Sequence, residues 1–176
     1  MNLQLPFFFY GTLRPGERNY NHLLQGHTLR EEAGWWLEGA QLYLHASGSY
    51  THLKGEGAGY QPQGAYPYLR ESIEGTSRVA GDLIEIRPEH YEKLLVELDW
   101  LEGYSEEVAP EETNSRNEYL RVVREIKHLS GASTQAWVYL GTPQAFARQA
   151  AHLTPLVSGD WLEWRNDLYQ LWEQKT

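Results

Sequence analysis

Apolar positions along the chain recur in two distinct rhythms. Leu5-Pro6-Phe7-Phe8-Phe9-Tyr10 is a short aromatic run halted by Gly11, the pattern of a buried strand. The stretch from Gly11 to Asn19 is punctuated by Gly11, Pro15 and Gly16 and predicts a loop. A short helix from about Asn19 to Gln25 follows, with Asn19 or Asn21 as its cap. Trp35-Trp36-Leu37 and Gln41-Leu42-Tyr43-Leu44 predict two strands around Glu38-Gly39-Ala40. From Ala46 to Gly64 glycines crowd together, which predicts a lid or a mobile insertion; order returns at Ala65-Tyr66-Pro67-Tyr68-Leu69. Arg78 to Ile86 alternates only in part and predicts a strand. Tyr91, Leu94, Leu95, Leu98 and Leu101 then repeat at helical spacing behind Pro88, predicting an amphipathic helix over 88–101.

Tyr119 to Ile126 holds a β-branched run, Gly131 marks a hairpin turn, and Thr134 to Leu140 runs back. Near the end, Trp161, Trp164, Leu168, Leu171 and Trp172 share one helical face, opened by Asp160 as a cap. Strands outnumber helices, and no βαβ alternation or repeat is present. The fold class is therefore α+β: a small mixed barrel or curved sheet with flanking helices, in one domain of 176 residues.

Composition narrows the function. With no cysteine, disulfides, thiolate nucleophiles and Cys-ligated metal sites are excluded together, a usage that fits a cytoplasmic protein. The formal net charge of −9 disfavours nucleic acid, and Arg121, Arg124 and Lys127 form no stripe because three-residue steps in a strand alternate faces. No segment reaches the ~20 apolar residues of a membrane helix, and the N-terminus has no signal-peptide pattern. The seven histidines show no His-x-x-x-His spacing, so no metal and no cofactor are expected. Ser49, Ser72 and Ser158 lack a nucleophile-elbow context, which speaks against a serine hydrolase.

Several of these segments, in order, carry a resemblance. Tyr10-Gly11-Thr12-Leu13 after an apolar strand resembles the Tyr-Gly-Ser/Thr-Leu signature of γ-glutamylcyclotransferase-like proteins, and Leu98-Asp99-Trp100-Leu101-Glu102-Gly103-Tyr104 resembles their Leu-Asp-x-x-Glu-Gly-Tyr segment. Tyr66-Pro67, Val79-Ala80-Gly81-Asp82-Leu83, Tyr119-Leu120-Arg121 and Ala136-Trp137-Val138-Tyr139 are similar to further family segments, over a core of about residues 6–141. Residues of about 142–176 form a helical extension outside that core signature. The resemblance implies a small mixed β-barrel with flanking helices and a metal-independent cyclisation of a γ-glutamyl group to 5-oxoproline, releasing the attached amine. It also implies Glu102 as the acid/base, with Tyr10, Gly11, Thr12 and Leu13 cradling the substrate and Tyr119 and Tyr139 on strands near the pocket.

The residue chemistry agrees on its own terms. One carboxylate can take a proton from the attacking amine and return one to the leaving amine if burial raises its pKa, and Glu102 follows the apolar face of Leu94, Leu98 and Leu101. Gly11 lets main-chain N–H groups approach a ligand closely, to hold a carboxylate or an oxyanion. Glu102-Gly103 also reads as an ordinary helix end with glycine in the left-handed position. Asp99, three residues earlier, reads as structural, bonding main-chain N–H groups of a neighbouring loop; Glu106, Glu107, Glu111 and Glu112 read as a solvated acidic loop at the mouth. The expected partner is a small γ-glutamyl molecule, and the chain is expected to act as a monomer or homodimer, its Trp-rich last helix offering a dimer surface. A non-catalytic binding module and a hydrolase of γ-glutamyl linkages are the alternatives.

Overall fold

A computed structural model describes residues 4–46, 65–72, 75, 77–107 and 117–173, with the side chains of 46 and 168–173 left outside the description. Five strands close into a barrel in the order β1 (Phe7–Phe9), β4 (Arg78–Ile86), β2 (Thr28–Glu38), β5 (Tyr119–His128) and β6 (Ser133–Gly141). A second sheet pairs β3 (Ala40–Ala46) with the Ala65–Glu71 strand and with β7, a terminal strand at Leu153–Pro155. The barrel is antiparallel except at its seam, where β1 meets β6 in parallel at Phe7 and Trp137, and Trp137 N–H donates to Pro6 C=O at 2.8 Å. The expected α+β class with a mixed barrel is what the chain forms.

Helices dress this frame. A short α1 (Arg18–Leu23) follows the first loop, α2 (Pro88–Leu101) packs on the barrel, and α3 (Pro143–Gln149) and α4 (Trp161–Glu173) lie beyond it. The expected strand at 78–86 and helix at 88–101 form with those bounds, and Pro88 opens α2 at its first turn. The partial alternation of residues 78–86 has a simple cause: nearly every side chain from Val79 to Ile84 is buried, so neither face needs to be polar. The same holds for β1. Phe7 and Phe9 join a cluster with Tyr91, Leu94 and Leu98 of α2, while Phe8 and Tyr10 join a second cluster with Trp35, Val79, Leu83, Val138 and Trp161.

Some expectations needed correction. Helix α1 is capped at Glu17 rather than at Asn19 or Asn21, with no side-chain bond at the cap. Strand β2 is eleven residues long, reaching back to Thr28 through register shifts between Thr28 and Arg30 and between Glu32 and Trp35. Strands β2 and β3, consecutive in the chain, belong to different sheets. Helix α3 is an addition, with Thr142 Oγ1 accepting Ala145 N–H at 3.1 Å as its cap. The glycine-rich segment lies, from residue 47 to residue 64, outside the described residues, as do Glu111 and Glu112 and the side chains of Leu168, Leu171 and Trp172.

The Ala65–Glu71 strand sits on the barrel through two glycines. A Cβ on Gly11 would stand 2.2 Å from Pro67 Cγ, and one on Gly141 would stand 2.1 Å from the Tyr68 ring. Tyr68 is buried, so its ring has little room to retreat. Gly141→Ala is therefore expected to cost about 1–3 kcal/mol, seen as a lower urea midpoint at unchanged slope. In a Tyr68→Leu background the added cost should shrink to below about 1 kcal/mol, and an undiminished cost would locate the clash elsewhere.

Candidate active site

A cavity of about 530 Å³ opens where the loop after β1, the end of α2, the Ala65–Glu71 strand and strands β5 and β6 converge. Each residue expected at the site lines it: Tyr10, Gly11, Thr12, Leu13, Glu102, Tyr119 and Tyr139. They come from positions far apart in the chain, and the barrel brings them together.

The loop is a tight turn, with Arg14 N–H donating to Gly11 C=O at 3.0 Å. Thr12 Oγ1 accepts from Asn19 Nδ2 at 2.9 Å, and its C=O accepts Tyr20 N–H at 3.2 Å, which fastens the turn to α1. The N–H groups of Gly11, Thr12 and Leu13 find no acceptor among the described residues. Three free donors on one short turn suit a carboxylate or a developing oxyanion. Gly11 itself is demanded by Pro67, so its missing side chain serves packing in addition to the ligand approach that its sequence context suggested.

Glu102 stands at the end of α2, and the expected helix end with glycine in the left-handed position is what Glu102-Gly103 forms. Gly103 has φ +62°, its N–H donates to Trp100 C=O at 3.2 Å, and Tyr104 N–H donates to Asp99 C=O at 2.8 Å. This is a Schellman closure, and it ends the helix at the residue whose carboxyl enters the cavity. No described group donates to that carboxyl. The residue as a whole is half-buried, and burial of the carboxyl, helped by the nearby Asp99 charge, pushes its pKa up to about 7. The charge of Glu102 in turn helps to raise Tyr10, Tyr119 and Tyr139, after burial as the main cause for each, so all three phenols stay protonated.

Asp99 is treated differently. Tyr139 donates its hydroxyl to Asp99 Oδ1 at 2.7 Å, and Arg121 Nη1 donates to Oδ2 at 2.9 Å. These partners replace the main-chain N–H groups expected for it. Burial raises its pKa, against the lowering by Tyr139 and Arg121. Arg121 also pairs with Glu106, which is thus held rather than merely solvated, and packs its guanidinium over Trp137 at 4.9 Å. The tyrosines divide accordingly. Tyr10 donates to Tyr139 C=O at 2.8 Å and Tyr139 to Asp99, whereas Tyr119 has only a long 3.5 Å contact to Pro67 C=O and keeps a proton to offer.

Behind the loop lies an anchor that the motifs did not reveal. Arg14 grips Asp82 of β4 through Nε at 2.9 Å and Nη2 at 3.1 Å, and reaches Asp160 through Nη1 at 2.8 Å. Asp160 Oδ1 also accepts Leu162 N–H at 2.9 Å, so the expected cap of α4 is at the same time a partner of the loop. Three residues on, buried Glu17 accepts Trp161 Nε1 at 3.2 Å and pairs with Arg165. Asp82, a lone charge amid a buried apolar strand, was the signal that a cation must meet it.

The family model for gamma-glutamyl cyclotransferase, AIG2-like proteins matches residues 7–163. The chain belongs to this family. Among solved structures, this cyclotransferase-family chain is similar to YkqA from Bacillus subtilis (17% identity, 99% of this chain and 44% of that one, TM-score 0.54). It is also similar to an AIG2-like protein from Mus musculus (22% identity, 83% and 82%, TM-score 0.50) and to part of Kluyveromyces lactis allophanate hydrolase (9% identity, 94% and 22%, TM-score 0.52). The chain thus spans less than half of YkqA. At these identities the likeness concerns the fold alone. No curated protein sequence matches. Among the described residues no group of three His, Asp or Glu is arranged to hold a metal ion, and no helix is long and apolar enough to cross a membrane.

A carboxyl whose pKa is about 7 in the fold and 4.5 in the open chain holds its proton more tightly when folded. Between those values the folded state binds more protons, so stability falls as pH rises from about 4.5 to about 7. Glu102→Gln removes that burden. Thermal unfolding should show the variant more stable than the parent by about 1–3 kcal/mol at pH 8, with the gain disappearing by pH 4. A pH-independent difference would mean that Glu102 carries no raised pKa.

Proposed function

We propose that the protein is a γ-glutamyl cyclotransferase, converting a γ-glutamyl amine, amino acid or peptide to 5-oxoproline and the free amine. One observation carries this reading: a carboxyl poised near neutrality shares a cavity with three main-chain N–H donors, and neither it nor they have a partner among the described residues. Glu102 takes a proton from the substrate's α-ammonium, and the freed amine attacks the γ-carbonyl carbon. The ring C–N bond forms and the carbonyl oxygen becomes an oxyanion, facing N–H groups of Gly11 to Leu13. As the oxyanion collapses, the bond to the leaving nitrogen breaks. Two protons pass in all from the attacking to the leaving nitrogen, relayed by Glu102, so the amine departs as an ammonium and the carboxyl is restored. Tyr119, with its uncommitted hydroxyl, is a further donor to the bound glutamyl group. The Arg121–Asp99–Tyr139 chain holds a second negative charge beside Glu102, which supports the raised pKa.

The test is a product assay over γ-glutamyl amino acids, γ-glutamyl amines and glutathione. 5-Oxoproline is expected from the wild type, with kcat/KM rising along an acid limb whose midpoint lies at about 7. Glu102→Gln should lower kcat by about 10²–10⁴-fold. Free glutamate in place of 5-oxoproline would identify a hydrolase. Ligand binding without either product would leave a binding module.

A further inference from the structure

The outer part of the cavity carries side chains that this chemistry leaves unused. Trp100 is 83% exposed and Leu101 37% exposed, yet both line the cavity on the last turn of α2, directly before Glu102. Among the described residues the Trp100 indole joins no aromatic pair, and its N–H finds no acceptor. A single exposed apolar side chain is ordinary on a protein surface. A free indole at the rim of a reacting centre offers a large apolar face to whatever occupies the mouth. Charge is set out there as well. Arg18, exposed on α1, lines the same cavity and makes no ion pair with a described residue, whereas Glu118 of the rim is paired with Arg148 at 3.3 Å.

A γ-glutamyl substrate is divided at the bond that breaks. Its glutamyl half needs the main-chain donors and Glu102; the other half departs towards solvent, past Trp100 and Arg18. Resting on the reading above, we infer that the mouth is a leaving-group subsite for a large apolar or aromatic α-amino acid. The Trp100 indole and Leu101 pack on its side chain, and the Arg18 guanidinium takes its carboxylate. A simple amine leaves Arg18 without a partner, and a glycine leaving group leaves the indole uncovered.

Steady-state kinetics on γ-glutamyl-phenylalanine, γ-glutamyl-glycine and γ-glutamyl-phenethylamine test the inference with wild type, Trp100→Ala and Arg18→Gln. The wild type should favour phenylalanine over glycine by about tenfold or more in kcat/KM, and Trp100→Ala should remove about tenfold of that ratio. Arg18→Gln should abolish the preference for phenylalanine over phenethylamine. A ratio untouched by Trp100→Ala overturns the indole's role. Equal losses on phenylalanine and phenethylamine substrates in Arg18→Gln would put that guanidinium on the glutamyl carboxylate instead and overturn its assignment. If no substrate yields 5-oxoproline, the proposed reaction fails, and calorimetry on the Glu102→Gln protein decides the subsite separately. Affinity for γ-glutamyl-phenylalanine about tenfold weaker when Trp100→Ala is added sustains it; equal affinity or no binding overturns it.

Discussion

Arg14, enclosed between Asp82 and Asp160, fixes the position of everything that faces the cavity from the loop. A guanidinium with so little access to water is tolerable only while its carboxylates are in place; removing one partner of such a pair typically costs about 3–5 kcal/mol. Asp82 belongs to β4 and Asp160 to the start of α4, so one side chain joins the barrel, the loop and the last helix. Glu17 repeats the arrangement with Trp161 and Arg165. Loops usually gain their shape from short local bonds, and this one has those too, but its placement is decided by charges distant in sequence.

The two carboxylates at the end of α2 show how surroundings separate chemically identical groups. Asp99 is saturated by Tyr139 and Arg121, a structural ion pair with both oxygens occupied. Glu102, one helical turn later, is given no donor among the described residues. The helix end supplies the difference. Its Schellman closure at Gly103 uses up the last carbonyls and turns the chain away, leaving the Glu102 carboxyl facing the cavity.

Elements defined by local rhythm were legible in the sequence. Strand 78–86, helix 88–101 and the hairpin around Gly131 announced themselves through periodicity and turn residues, and the family motifs placed the seven expected residues around one cavity. Legibility ended where long-range contact overrides local pattern. Residues 28–34 of β2 carry Arg30, Glu31 and Glu32 and contain a register shift, so no period-two signal survives. The close approach of the Pro67 ring to Gly11, and the pairing of Arg14 with Asp160, depend on segments whose meeting no local pattern encodes.

The span between Arg14 and Asp160, 146 positions, also sets an order of events. A ribosome adding roughly 5–20 residues per second needs on the order of 10 s to pass from one to the other. For that interval the Arg14 guanidinium has Asp82 of the barrel within reach of the growing chain but lacks its second carboxylate, Asp160. Barrel strands can pair meanwhile, and Asp82 can hold Arg14, yet the loop gains its tie to the last helix only when α4 emerges and docks. Synthesis of the last helix thus sets the final fastening of the loop, and a chain stalled before Asp160 carries the motif with one of its two charge anchors.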